Sequence, residues 1–181
     1  MNYTSIINED FNNGEGVGVS LFVQGCHFHC KGCFNSETWD FNGGHVWTNE
    51  VEDEFLKLMD KPYITRTSIL GGEPLANENV KDVLELIKKI KHQYPNKKLW
   101  LYTGYTLEAI MNPVVTDDFN PERDNILHFR REVLNYIDIL VDGKYVDELR
   151  DLTLKFRGSS NQRLIDIKKT LEQGEIILWT K

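Results

Sequence analysis

The sequence predicts an α/β fold built on a parallel sheet, in a single domain spanning residues 1–181. Two observations predict the class. Short runs rich in β-branched and aromatic residues alternate with longer segments whose apolar residues recur at helical spacing, the pattern of βαβ units. Four strand-like runs also lead straight into segments carrying cysteine or Gly-rich turns, as expected where parallel strands present their carboxyl ends along one edge. A chain of 181 residues with 40% hydrophobic content can bury one core of this kind.

Residues 17–23, Val-Gly-Val-Ser-Leu-Phe-Val, alternate and read as the first strand, with a cysteine-rich loop directly behind it. Thr48 is a fitting N-cap for a helix that places Val51, Phe55, Leu58 and Met59 on one face, and Pro62 lies just past its end. Residues 64–70 form the next strand and run into Gly71-Gly72-Glu73-Pro74. Val80, Val83, Leu84, Ile87 and Ile90 mark a second helix, which stops before Pro95. Residues 99–102 are a third strand, followed by Thr103-Gly104-Tyr105 and a short helix starting near Thr106. Residues 126–136 read as a helix with Leu127, Val133 and Leu134 inward. Residues 137–141 are a fourth strand, ending at Asp142-Gly143-Lys144. Residues 152–156 and 175–179 read as later strands. The stretch 112–125 holds two prolines and four acids and reads as a solvated surface loop, with contact to a partner as the sharper alternative.

The charge balance, 21 Lys and Arg against 28 Asp and Glu, gives −7 and argues against non-specific nucleic-acid binding. No apolar run approaches the roughly 18 residues of a membrane span. Clustered thiols without an export signal point to the cytoplasm.

All three cysteines, Cys26, Cys30 and Cys33, fall in one C-x3-C-x2-C run. A disulfide framework does not fit an odd count packed this closely. Iron–sulfur clusters are normally held by four thiolates. Three on one loop can hold three irons of a cubane and leave the fourth open to a small molecule. Zinc on three cysteines and one of His27, His29 or His45 is the serious rival. Zinc ligands usually come as two pairs separated by a longer loop, whereas here they form one compact run. An electron-transfer ferredoxin would lack its last ligand. The cysteine loop and the segments at 71–74, 103–105 and 142–144 each follow a strand, so they converge on one site. An isolated zinc knuckle has no need of that convergence.

The cysteine spacing after a first strand, with Gly-Gly-Glu-Pro at the end of the next, closely resembles the radical S-adenosylmethionine superfamily. Closer still is the resemblance to small activating enzymes of glycyl radical proteins, and among them to the activases of anaerobic (class III) ribonucleoside-triphosphate reductase. The phrases QGCHFHCKGCFNSETW, GGEPL, LYTGYTLE, LVDGKY and FRGSSNQR carry it, between about residues 2 and 163. Many superfamily members have an aromatic just before the third cysteine. Gly32 stands there, which is similar to the reductase activases, and Phe34 on the other side can supply the ring. The 112–125 loop is longer than a minimal activase needs, and the tail after Arg163 matches nothing.

The resemblance implies a partial, open parallel (β/α) barrel of the radical S-adenosylmethionine type, with about six strands. It implies a 4Fe–4S cluster on Cys26, Cys30 and Cys33, with the amino and carboxylate groups of S-adenosyl-L-methionine chelating the open iron. One electron then breaks a carbon–sulfur bond to give methionine and a 5′-deoxyadenosyl radical. That radical takes hydrogen from a glycine Cα of the anaerobic reductase's catalytic subunit, a reduced flavodoxin or similar donor supplying the electron. Gly71 and Gly72 would let the backbone approach the methionine moiety, and Glu73 would add negative charge near its ammonium. Gly32, Cys33 and Phe34 would contact the adenine. Thr103 would offer a hydroxyl to the ribose, with Gly104 giving clearance. Asp142 and Lys144, two apart on an extended segment, would face one side, with Lys144 on the methionine carboxylate. Arg157, Ser159 and Ser160 would shape the mouth, and His27 and His29 would be surface residues of the loop. Two further readings stand beside this one. One is a radical enzyme acting on another glycyl radical protein or on a small purine-like molecule. The other is a metal- or cluster-binding module with no turnover.

Overall fold

The computed structural model describes residues 1–113 and 120–180. In chain order the elements are β1 (Asn2–Asp10), β2 (Gly18–Val23), β3 (His45–Val46), α1 (Asn49–Met59), β4 (Arg66–Gly71), α2 (Val80–Gln93) and β5 (Lys98–Tyr102). They continue with α3 (Leu107–Met111), α4 (Pro121–Val133), β6 (Ile139–Asp142), β7 (Arg163–Asp166) and α5 (Ile167–Gln173). The strands form one open seven-stranded sheet in the order β3-β1-β2-β4-β5-β6-β7. The central four, β2, β4, β5 and β6, are parallel. β1, β3 and β7 pair antiparallel at the edges.

Register makes the two faces of the sheet different. Leu21, Ile69, Leu101 and Leu140 form one row across the parallel strands, and Ser20, Ser68, Trp100 and Ile139 form the next. Successive side chains point to opposite faces. The first row is fully buried with Phe55 and Met59 of α1, Ile87 and Ile90 of α2, and Val133 of α4. Truncating a residue such as Leu101 to Ala would cost ~2–5 kcal/mol through lost contacts and a cavity. The second face carries a smaller cluster around Trp100, Ile139, Val141 and Leu164. Trp100 there meets Phe156 and Trp179 edge to face, with ring centroids 5.3 Å apart in each pair. Arg66, fully buried on this face, donates to the Asp10 carbonyl at 2.8 Å and to Ser68 at 2.7 Å. Helices thus cover one face, and the other is left for the site.

The caps follow the sequence. Thr48 accepts from Val51 N–H, Thr106 from Ala109 N–H, and Asp166 from Lys169 N–H. Gly174 ends α5 in the left-handed region at φ 73°.

Several expectations are corrected. Among the described residues the strands number seven rather than about six, and three of the six pairings are antiparallel. β1, β3, β7 and α5 have no counterpart in the sequence reading. Residues 152–156 are not a strand; Leu152, Leu154 and Phe156 face a cavity instead of a neighbouring strand. Residues 175–179 make only an isolated bridge, Leu178 to Ile165. α4 begins at Pro121, capped by Asn120, so the end of the expected 112–125 loop is helical. Residues 114–119 of that loop lie outside the described residues. No helix among the described residues is long and apolar enough to cross a membrane.

Candidate functional site

The loops that follow the four parallel strands meet around one cavity of about 470 Å³, within the usual range for a small-molecule site. Phe22, Leu70 and Tyr102 continue the second face of the sheet into its wall.

The cysteine loop is fixed by backbone bonds. Gly25 N–H donates to Thr38 at 2.7 Å and Cys26 N–H to Trp39 at 3.0 Å. From the next loop, Glu73 N–H donates to the Gly25 carbonyl at 2.7 Å and Gly72 N–H to Val23 at 2.8 Å. Gly72 lies so close that a Cβ would strike the Gly25 carbonyl. The glycine is therefore required by loop-to-loop packing.

Cys26, Cys30 and Cys33 all line the cavity with free thiols. Burial pushes the Cys26 thiol up, opposed by the Phe28 and His29 amides. Burial also pushes Cys30 up, with Cys33 beside it adding to the effect. A bound cation would supply the charge that favours the thiolates. Asn35 N–H donates to Cys33 Sγ at 3.4 Å. Among the described residues, no three His, Cys, Asp or Glu side chains converge on a single-ion position. The histidines have other partners: His27 bonds Glu78 at 3.0 Å, His29 stacks on Trp39 at 4.6 Å, and His45 lies against Tyr3 at 5.6 Å. Thiols spread around a cavity suit a polynuclear group better than one zinc ion.

Glu73 and Thr103 line the cavity, but their polar atoms bind each other. The buried Glu73 carboxylate accepts from Thr103 Oγ1 at 2.7 Å, Gly104 N–H at 2.7 Å and Leu75 N–H at 2.9 Å. Burial still pushes this carboxyl above its ordinary value. Gly104 makes room for the Phe28 ring, which would overlap any Cβ there. Thr103 and Gly104 both line the cavity; the Thr103 hydroxyl also donates to Glu73, and Gly104 gives clearance to Phe28.

Asp142 does not face the cavity. Its carboxylate accepts from Arg163 Nε at 2.9 Å, from Arg163 Nη2, and from Leu107 N–H at 2.8 Å. Gly143, at φ 93°, breaks the extended alternation, so Asp142 and Lys144 part. Lys144 does line the cavity, with Nζ 4.6 Å from the Phe28 ring centroid and no ion pair among the described residues. Gly32, at φ 71°, packs against Asp147 and lies outside the lining. Phe34 is half-exposed on the rim, edge to face with Tyr145 at 5.3 Å. Arg157 lines the cavity, whereas Ser159 and Ser160 do not. Ser159 Oγ instead accepts from Val146 N–H at 3.2 Å.

Trp39, Tyr102 and Tyr145 also line the cavity, and the sequence reading missed them. Four buried side-chain polar atoms lack a partner among the described residues: Trp39 Nε1, Arg66 Nε, Tyr102 OH and Arg157 Nε. Three of the four belong to cavity-lining residues, which concentrates unmet hydrogen-bonding capacity at this site. Burial pushes the Tyr102 phenol up, keeping it a protonated donor.

The family model described as a 4Fe-4S single cluster domain matches residues 12–165. The chain is 39% identical over 164 residues to the anaerobic ribonucleoside-triphosphate reductase-activating protein of Vibrio cholerae, covering 90% of this chain and 96% of that protein. The protein of the same name from Escherichia coli K12 is 38% identical, with the same coverage. That of Enterobacteria phage T4 is 37% identical, covering 91% and 93%.

Proposed function

The chain belongs to the family of anaerobic ribonucleoside-triphosphate reductase-activating proteins, and from that premise we propose that it installs a glycyl radical on the reductase's catalytic subunit. It would do so with a 4Fe–4S cluster on Cys26, Cys30 and Cys33 and S-adenosylmethionine beside it. One observation carries the reading: three free thiols from one loop line a ligand-sized cavity that no histidine of the described residues lines. When bound, the two groups supply reductive cleavage of a carbon–sulfur bond, using an electron from a donor such as reduced flavodoxin, so that a glycine Cα gives up hydrogen and methionine and 5′-deoxyadenosine are released.

The chain's own residues bind, orient and shield. The peptide groups of Gly71 and Gly72 stand in the cavity wall, where they can pair with the cofactor's ammonium. Lys144, which has no ion pair among the described residues, presents its ammonium to the same space beside Phe28, which suits the cofactor's carboxylate. The Phe34–Tyr145 pair offers aromatic surface to the adenine. Glu73 keeps the turns after β4 and β5 together rather than reaching the ligand. Phe28, Trp39 and Tyr102 exclude water from the reacting atoms. The open sheet supports a barrel-like arrangement with one side left free for a protein segment. The protein would act in the cytoplasm.

The test combines reconstituted protein, reductase subunit, S-adenosylmethionine and reductant under anaerobic conditions. A glycyl radical doublet in the EPR spectrum, collapsing when the glycine Cα is deuterated, is expected. Deoxyadenosine without that doublet would shift the target to another glycyl radical protein or a small molecule. Absence of both would leave a cluster-binding module.

A further inference from the structure

Three consecutive residues, Asn161-Gln162-Arg163, run antiparallel to Asp142-Gly143-Lys144 and hold each of them in turn. Arg163 is the ladder partner of Asp142 and binds its carboxylate. Beyond that pair, side chains take over from the ladder. Gln162 Nε2 donates to the Gly143 carbonyl at 3.1 Å, and Asn161 Nδ2 donates to the Lys144 carbonyl at 2.8 Å. The other end of the Gln162 amide accepts from Gly158 N–H at 2.9 Å and Ser159 N–H at 3.1 Å. Chemistry fixes its orientation, because two N–H groups demand oxygen and a carbonyl demands NH2. One amide therefore ties two cavity walls: the Gly143–Lys144 turn and the segment that carries Arg157.

Lys144 is a long side chain held near Phe28 with no ion pair of its own among the described residues. Its backbone sits past Gly143, whose left-handed φ of 93° lets the turn pivot. The two amide bonds restrain that pivot together with Gly143 N–H, which donates to the Tyr105 carbonyl at 3.1 Å. We infer that Gln162 and Asn161 are positioning residues: they set Lys144 for the carboxylate of the bound cofactor. The inference rests on the reading of Lys144 under the proposed function.

A double-mutant cycle tests it, measuring S-adenosylmethionine affinity by equilibrium dialysis on anaerobically reconstituted protein. Lys144→Gln should weaken binding about tenfold or more, the loss of a charge-assisted hydrogen bond. Gln162→Met, close in size and uncharged, should weaken it several-fold with unchanged iron and sulfide. The double variant should bind no worse than Lys144→Gln alone, within about twofold, because Gln162 acts through Lys144. Asn161→Ala, at an exposed position, should show the same non-additivity if Gln162→Met folds poorly. Losses that simply multiply in the double variant would make Gln162 a structural residue and overturn the inference. So would full affinity in both Gln162→Met and Asn161→Ala. Full affinity in Lys144→Gln would instead remove Lys144 from the cofactor site, and the inference with it. Wild-type protein that binds no S-adenosylmethionine would sink the functional reading underneath.

Discussion

The carboxylate of Glu73 accepts the hydroxyl of Thr103 at 2.7 Å and so joins the loop after β4 to the loop after β5. Its second oxygen takes Gly104 N–H at 2.7 Å. The Thr103 hydroxyl in turn accepts from Tyr105 N–H at 3.1 Å, which fixes its orientation.

The first prediction tests that brace. Glu73→Gln keeps the shape but turns an NH2 toward a donor, leaving one buried hydrogen bond unmade. Stability should fall by ~1–3 kcal/mol in urea denaturation. Thr103→Val should cost a comparable amount, because it removes one donor from the carboxylate and takes from Tyr105 N–H the hydroxyl it donates to at 3.1 Å. A Glu73→Gln variant as stable as wild type would show that the two loops are held by other contacts.

Gly72 gives a prediction that the sequence alone sets up differently. Read as clearance for a ligand, a branched residue there should weaken cofactor binding and spare the cluster. In the structure a Cβ at Gly72 meets the Gly25 carbonyl, one residue before Cys26. Gly72→Val should therefore displace the cysteine loop and lower iron and sulfide after anaerobic reconstitution. Native iron and sulfide, with only the cofactor-induced EPR change lost, would restore the ligand-clearance account.

Acid should loosen the far side of the site. Hydrogen bonds from Arg163 hold Glu108 down at about 2, with burial opposing. A carboxyl depressed in the folded state adds stability above its ordinary value of 4.5 and loses it as pH falls toward 2. The Glu108 side chain is 55% exposed, so solvent screening limits the effect to about 1 kcal/mol or less. The urea midpoint should drop between pH 6 and pH 3, and the drop should be smaller in Glu108→Gln. An identical pH profile in that variant would assign the acid sensitivity to other carboxylates, such as Asp10, lowered despite its burial by Ser20 and its neighbours.

The four parallel strands are legible in the sequence because strands buried on both faces read as short apolar runs between turns. β1 is not, since Asn2, Asn8, Glu9 and Asp10 dilute its pattern, and Ile7, Asn8 and Glu9 are exposed in succession rather than in alternation. β7 is four residues long with charged ends, too short to carry a period. Residues 152–156 mislead because their apolar alternation is real, yet it answers to a cavity and to Trp100 rather than to a paired strand. At the site, spacing reveals the cysteines and the glycine turns. It cannot reveal that Gly143 turns Lys144 away from Asp142, because one left-handed residue undoes the alternation. Nor does it single out Trp39 and Tyr102, which stand beside the cysteine loop and the Thr103–Gly104 turn without a spacing that marks them.

The last prediction separates the cluster from its rival. Cys26, Cys30 and Cys33 each supply a thiol to the cavity, and no fourth cysteine exists to replace one. Two thiolates cannot hold three irons of a cubane, so Ala at any of the three positions should abolish iron and labile sulfide together. The histidines give the contrast. His27 is paired with Glu78, and His29 is stacked on Trp39. His45 lies against Tyr3, so His27→Ala, His29→Ala and His45→Ala should all retain the native iron and sulfide. A zinc site of three cysteines and one histidine predicts the reverse: stoichiometric zinc, no sulfide, and loss of metal in one histidine variant. Metal analysis of the six single variants and the wild type, all isolated anaerobically, decides between them. Zinc retained in the wild type with no labile sulfide would end the cluster assignment, and with it the radical chemistry that depends on an open iron.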